Sequence, residues 1–248
     1  TALVAAFALV PLLVSADAPG KEVLHPVAVV IFGGLVSSTL LDTLLTPLMF
    51  WRWGEKPLEH LLALRAGRTV WAVHQLDADT SGVIVFVTRK SLVAPWAERL
   101  SAHADKQYLA ICHGVPAFDT LEVNAPIGPT GGRTPPWWRI ARADDDGARG
   151  ATSRLRVLDR GVEHSMIEVT LVTGRTHQAR LHLAHVGHPL VGERVYRTPP
   201  CTEHPRHALH AHAIRFRDGE QPSAFVAPLP ADLRALAARV GLRVPDGA

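Results

Sequence analysis

Residues 74–82 read HQLDADTSG and place two carboxylates, Asp77 and Asp79, in a polar turn that runs straight into the apolar VIVFV of residues 83–87. A carboxylate at the mouth of a buried strand has two ordinary uses. It closes a turn or caps a helix, in keeping with Thr80, Ser81 and Gly82 beside it, or it acts as nucleophile or base in a cleft. Spacing alone leaves both open. A second group lies in TGRTHQARLHLAHVGHP, residues 173–189. On a helix opened by Thr176, Gln178 and Arg180 fall in the first turn, near free backbone N–H groups. Arg175 and Arg180 each suit a carboxylate or a phosphate; the plainer alternative is a helix with solvated arginines. No Glu follows His177 or His182, so the HExxH pattern of a zinc site is absent. CTEHPRHALHAHAIRF, residues 201–216, gathers Cys201, His204, His207, His210 and His212. One Cys and no finger spacing point to a His-rich surface turn running into a strand, and no metal is assigned. Tyr108, opening YLAICHG, reads by itself as packing with its hydroxyl at the rim.

These groups need a scaffold, and periodicity supplies one. An unbroken apolar run predicts a strand at 83–88, buried on both faces. A helix at 91–104 starts at Ser91 and turns Leu92, Trp96 and Leu100 to one side. A strand at 107–113 ends at Gly114, and 125–151 is a long Pro/Gly-rich segment containing PPWWR. Strands at 153–158 and 164–172 flank a turn at 159–161. A helix at 177–186, capped by Thr176, stops at Gly187 and Pro189. A strand at 209–217 and a helix at 231–240, with Leu233, Leu236, Ala237 and Val240 on one face, complete the chain. Strands dominate and βαβ units are few, which predicts an α+β fold with a mixed, largely antiparallel sheet and flanking helices.

The first part of the chain is unlike the rest. Residues 1–62 hold three basic and five acidic residues, leaving 23 and 18 for the remainder. That modest basic excess permits an anionic partner such as RNA without demanding one. Two cysteines, Cys112 and Cys201, exclude a disulfide framework and fit a reducing compartment. The start at Thr1, with no cationic flank, reads as a cut front rather than a signal peptide. Residues 27–51 carry one charge, Asp42, over 25 residues, a length that spans a bilayer. Small residues Gly33, Gly34, Ser37 and Ser38 suit helix packing in lipid, and Trp51 and Trp53 suit an interfacial anchor. A buried hairpin in a soluble core is the other reading. SADAPGKEVLHPVAVVIFGGLVSSTLLDTLLTPLMFW followed by GEKPLE resembles the carboxy-terminal end of heavy-metal efflux pumps of the resistance-nodulation-division family, over residues 1–60. The proton relay and periplasmic region of those pumps are not in this sequence. The expected division is a pump-like hydrophobic segment at 1–62 and a catalytic domain at 63–248.

From residue 69 to 240 the motifs resemble, in order and spacing, the RluA-type RNA pseudouridine synthases. HQLDADTSG is similar to the family's His-Arg-Leu-Asp-x-x-Thr-Ser-Gly, KQYLAICHG to its Lys-x-Tyr-Leu-Ala strand, and GRTHQARLHLAHVGHPLVGERVY to its Gly-Arg-Thr-His-Gln-x-Arg-x-His-Leu helix and following segment. LHAHAIRF and FVAPLPADL are similar to its closing strand and last helix. The resemblance implies Asp77 as catalytic aspartate, Tyr108 as active-site tyrosine and Arg180 as the basic partner of the aspartate. His74, Gln75, Arg175, His177 and Gln178 would contact RNA. The implied reaction isomerises uridine in ribosomal or transfer RNA, with the base flipped from the stack and no cofactor. Asp77 would attack C1′ or remove the C2′ proton; the residues do not choose between these. Gln75 stands where the family has Arg, which keeps hydrogen bonding but loses charge and the planar fork. Pump-like sequence occupies the place of the family's opening strands, so the front of the catalytic sheet is expected to be missing or replaced. The expectation is a chimeric chain, its catalytic part cytoplasmic and residues 1–53 at an inner membrane. A transport remnant without enzymatic role and an inactive RNA-binding module are the alternatives.

Overall fold

The computed structural model describes residues 58–132 and 137–245. They belong to two compact units, Thr1–Thr69 and Val70–Ala248. The described element of the first is helix α1 (Leu58–Ala66), with Glu59 in its first turn and Arg65 in its last, the charge order a helix dipole favours. The 27–51 stretch expected to cross a bilayer lies outside the described residues. Among those described, no helix is long and apolar enough to cross a membrane. The transmembrane expectation is corrected accordingly.

The second unit runs β1 (Trp71–Ala72), β2 (Ser81–Gly82), β3 (Phe86–Val87), α2 (Val93–Ala102), β4 (Ala104–His113), β5 (Thr120–Asn124), β6 (Ile127–Pro129) and β7 (Trp138–Ile140). There follow β8 (Thr152–Arg160), β9 (His164–Leu171), α3 (Gln178–His185), β10 (Leu209–Phe216), β11 (Ala224–Val226) and α4 (Ala231–Arg239). The main sheet is ordered β11–β10–β4–β9–β8–β5, with β2 added beside β10. Every pair along that path is antiparallel, and only β2 joins in parallel. The α+β, mixed and largely antiparallel expectation therefore holds.

The central strands are apolar on both faces because both faces are covered. Ala110 and Cys112 of β4, with Ile167 and Val169 of β9, pack against Ala179 and Leu183 of α3. The alternate residues Leu109, Ile111 and Met166 meet Leu233, Leu236 and Ala237 of α4. A third cluster joins Leu100 of α2 to Ala104, Ile214 and Phe216, with the Trp96 ring edge-on to Phe216 at 6.1 Å.

The structure departs from the periodicity in three places. The apolar run at 83–88 is not one strand. Its first part follows β2 along β10, with the Val83 N–H donating to the Ala211 carbonyl at 2.8 Å, while Phe86 and Val87 pair with β1. Two partners pull one apolar stretch in different directions. Helix α2 does not begin with a hydroxyl cap at Ser91; residues 90–92 form a 3-10 turn, and no side chain caps the helix. Nor does Thr176 cap α3, whose N-cap is His177 in the left-handed conformation at φ 55°.

Gly82 explains why the turn at 77–82 ends as it does. Its φ is +123°, and a Cβ there would lie 2.2 Å from the Ala211 carbonyl oxygen. Only glycine lets the chain lie flat against β10. Gly82→Ala is expected to destabilise the domain by on the order of 3 kcal/mol, measured as a lowered midpoint of urea unfolding with unchanged slope.

Candidate active site

Asp77 sits at the start of a tight turn, its carbonyl accepting the Thr80 N–H at 2.9 Å. The turn is fastened to the segment entering β10 by side chains on both sides. Thr80 Oγ1 shares a hydrogen bond with His207 Nε2 at 2.7 Å, and Ser81 Oγ one with His210 Nδ1 at 2.9 Å. Arg206 donates to the Asp79 carbonyl at 3.0 Å and to Ser81 Oγ at 3.1 Å. The His-rich stretch is thus not a surface turn: His204, His207 and His210 are buried, and two of them hold the loop that carries Asp77. The Asp79 side chain is exposed.

From the other side α3 delivers Arg180, which is buried rather than solvated. Its Nε and Nη2 donate to the two oxygens of Glu193 at 2.9 and 2.8 Å, and Nη1 reaches Asp77 Oδ2 at 3.4 Å. The guanidinium also lies over the Tyr196 ring, 5.0 Å from its centroid. Burial works against the Arg180 charge, but Glu193 and Asp77 outweigh it and its pKa is raised. Burial likewise opposes ionisation of Glu193, yet Arg180 and the N–H groups of Val195 and Tyr196 hold its pKa below the usual carboxylate value. The buried charges are paired and hydrogen-bonded, the condition for tolerating them.

His177 brings Nε2 to 3.9 Å from Asp77 Oδ1 and shares a hydrogen bond through Nδ1 with the Tyr196 hydroxyl at 2.5 Å. Burial lowers its pKa, Asp77 raises it and Arg180 lowers it again, with a net downward shift. A non-glycine residue at φ 55° is strained, and such strain collects at functional sites.

A cavity of about 510 Å³ opens onto this group, a volume within the range of small-ligand sites. Asp77, Tyr108, His74, Gln75, Arg175, His177 and Gln178 all line it, while Arg180 lies behind Asp77 outside the lining. Burial and the nearby Asp77 push the Tyr108 phenol up to about 12, so it presents its neutral form. His74 is lowered by burial and by Lys106, and its Nε2 accepts the Val85 N–H at 3.0 Å. Arg175 donates Nε to the Gly150 carbonyl at 3.1 Å. The Gln178 amide is consumed inside the protein: it donates to Thr152 and Ser153 and accepts from Thr173 and Arg175. It shapes the cavity wall from within. Gln75 is exposed at the cavity surface. A comparable cleft of about 540 Å³ lies at Pro95, Arg99 and Asp218, but its arginine is paired with Asp218 at 2.7 Å.

Sequence reasoning missed Glu193, Tyr196 and Lys106. Glu193 and Tyr196 stand in GERVY just after the helix, but no periodicity says that a carboxylate 13 residues on will fork with Arg180. Lys106 lines the cavity two residues before Tyr108, on the same face of β4, and burial lowers its pKa.

A mixed, largely antiparallel sheet with helices packed on its faces is consistent with a pseudouridine synthase-like domain. The family model for RNA pseudouridylate synthase matches residues 50–185, more than half of the chain, and the chain belongs to that family. The model of the AcrB/AcrD/AcrF family matches residues 1–53, so the two matches meet at 50–53. An uncharacterized RNA pseudouridine synthase of Chloroflexus aurantiacus is 36% identical over 169 residues, covering 65% of this chain and 51% of that protein. The ribosomal large subunit pseudouridine synthase D of Pseudomonas aeruginosa is 34% identical over 235 residues, covering 87% and 65%. The chain therefore spans between half and two thirds of the length of these relatives. Among solved structures, human RNA pseudouridylate synthase domain containing 4 superposes with TM-score 0.62 at 22% identity, covering 76% of this chain and 84% of that one. Human RNA pseudouridylate synthase domain containing 1 gives 0.56 at 25% identity, covering 76% and 87%.

His207 gives the Asp77 loop an acid limit. Burial lowers its pKa from 6.5 to about 4, so between those values the unfolded chain binds a proton that the folded loop refuses. Stability is then lost as pH falls from 6.5 towards 4. At pH 5 this one group is expected to cost about 2 kcal/mol. Urea unfolding of His207→Gln beside the unsubstituted chain, at pH 7 and pH 5, should show a smaller acid loss in the variant.

Proposed function

We propose that residues 63–248 act as a pseudouridine synthase that isomerises uridine in RNA, with ribosomal RNA as the favoured substrate. The observation that carries this reading is Arg180 Nη1 at 3.4 Å from Asp77 Oδ2, beside a cavity walled by Tyr108. The name of the Pseudomonas aeruginosa relative, a ribosomal large subunit pseudouridine synthase, favours ribosomal over transfer RNA.

The reaction breaks the N1–C1′ bond of uridine, turns the base and forms C5–C1′; C5 loses a proton and N1 gains one. The balance needs no redox partner or metal. A uridine flipped out of its stack enters the cavity with C1′ and C2′ toward Asp77. Asp77 then attacks C1′ or removes the C2′ proton, and Arg180 fixes the carboxylate for either role. Tyr108 stacks on the detached uracil and, as a neutral phenol, relays the C5 proton. Lys106 offers a cation to the uracil oxygens or to a flanking phosphate. His74, Arg175 and Gln75 face the RNA side of the cavity, with His177 and Gln178 forming the wall that positions it.

The test incubates the full chain with uridine-containing ribosomal and transfer RNA and measures pseudouridine. Asp77→Ala is expected to lower the rate by about 10⁴-fold or more while RNA binding persists; activity that survives this change overturns the assignment. An inactive RNA-binding module is the second reading, favoured by the uncharged Gln75 at the cavity surface. It predicts salt-sensitive binding and no product from either RNA. Restoring the charge tests that position directly. Gln75→Arg is expected to tighten RNA binding and to steepen the log–log salt dependence by about one unit.

A further inference from the structure

At the end of β4 and the start of β9, away from the cavity, a second polar group assembles. His113 and His164 are register partners across these strands, with ring centroids 5.1 Å apart. His113 lies five residues along the strand from Tyr108, about 17 Å away. The loop after α3 lays Cys201 and Glu203 on this pair. His113 Nε2 is 3.4 Å from Cys201 Sγ and 3.9 Å from Glu203 Oε1, and the three donor atoms all lie within 4.8 Å of one another. His164 Nε2 is 3.7 Å from the other Glu203 oxygen and, though fully buried, has no hydrogen-bond partner.

We propose that His113, Cys201 and Glu203 bind a divalent cation of the zinc type, with His164 bracing the far oxygen of Glu203. Donors around a tetrahedral zinc stand roughly 3.3–3.6 Å apart, given its bond lengths, so the 3.4 Å from His113 to Cys201 lies within that span and the 3.9 Å from His113 to Glu203 lies close to it. One thiolate, one imidazole and one carboxylate form a donor set that favours zinc over calcium or magnesium. The Gly192 N–H donates to Cys201 Sγ at 3.2 Å, a contact that fixes where the sulfur points. Binding releases the thiol proton to solvent as the metal–sulfur bond forms. Arg197 Nη1 now donates to His113 Nε2 at 2.6 Å; its half-exposed side chain swings outward when the cation takes that nitrogen. Water fills the fourth position.

The site sits where a staple is useful. The Cys201 N–H donates to the Glu193 carbonyl at 2.8 Å, so a cation held at Cys201 and Glu203 also fixes the loop that presents Glu193 to Arg180. This role is independent of the reaction proposed above.

The test titrates cobalt(II) into chelator-treated full-length protein lacking an affinity tag and follows the thiolate-to-cobalt charge-transfer band. The expected result is a band that saturates at one equivalent, persists in Cys112→Ser, is lost in Cys201→Ser and is displaced by zinc. Glu203 is half-exposed, so Glu203→Gln should fold and bind at least tenfold more weakly, roughly the loss expected when a metal ligand or its support is removed. Absence of a band in the unsubstituted protein, a band that survives Cys201→Ser, a band that follows Cys112 instead, or unchanged affinity in Glu203→Gln overturns the proposal.

Discussion

A guanidinium placed inside a protein must find its counter-charge there, and the geometry around Arg180 follows from that need. Glu193 meets it with both oxygens at 2.8 and 2.9 Å, leaving Nη1 to face Asp77 at the longer 3.4 Å. Asp77 is therefore oriented by a cation whose charge is already matched. Glu193 is held by both prongs of the guanidinium and by the Val195 and Tyr196 N–H groups, whereas Asp77 is held only by longer contacts, 3.4 Å to Arg180 and 3.9 Å to His177, which leaves acceptor positions on its oxygens open. The rest of the cavity wall serves this arrangement. Helix α3 is buried so that Arg180 projects inward, His177 adopts a left-handed backbone at the start of that helix, and the following loop returns to supply Glu193 and Tyr196.

Much of this was legible because the informative residues occur in ordered blocks. The stretches around Asp77, Tyr108 and Arg180 drew attention to residues that the fold brings to one place, although 103 positions separate Asp77 from Arg180. The strand expected at 164–172 is likewise present, as β9 at His164–Leu171. What stayed hidden has a common physical cause. A histidine is equally at home on a surface and in a core, so the burial of His207 and His210 depends on a loop 127 and 129 residues away. The pairing of Glu193 with Arg180 needs the turn after α3, which no period encodes. Ser91 and Thr176 are good helix caps in isolation, but a 3-10 turn and the left-handed His177 decide those starts instead. The apolar run at 83–88 looked like one strand because hydrophobicity reports burial and not which neighbour a backbone will choose.

The amino-terminal part stands on sequence similarity alone. One family match ends at residue 53 and the other begins at residue 50, ahead of the division expected between residues 62 and 63. GEKPLE at 54–59, read as the tail of the pump-like segment, falls within the span that the synthase family model covers.

The fastening of the Asp77 loop has a consequence for when the site can exist. Residues 77–82 are translated early, but the side chains and backbone that hold them, from Arg206 to Ala211, emerge from the ribosome well over a hundred residues later. Strands β4, β8 and β9 can pair with each other before that point; the aspartate loop cannot be placed until β10 has docked beside β4. A nascent chain with most of its sheet formed would still lack a placed Asp77 loop, because contacts so distant in sequence are closed only after the later partner has been made.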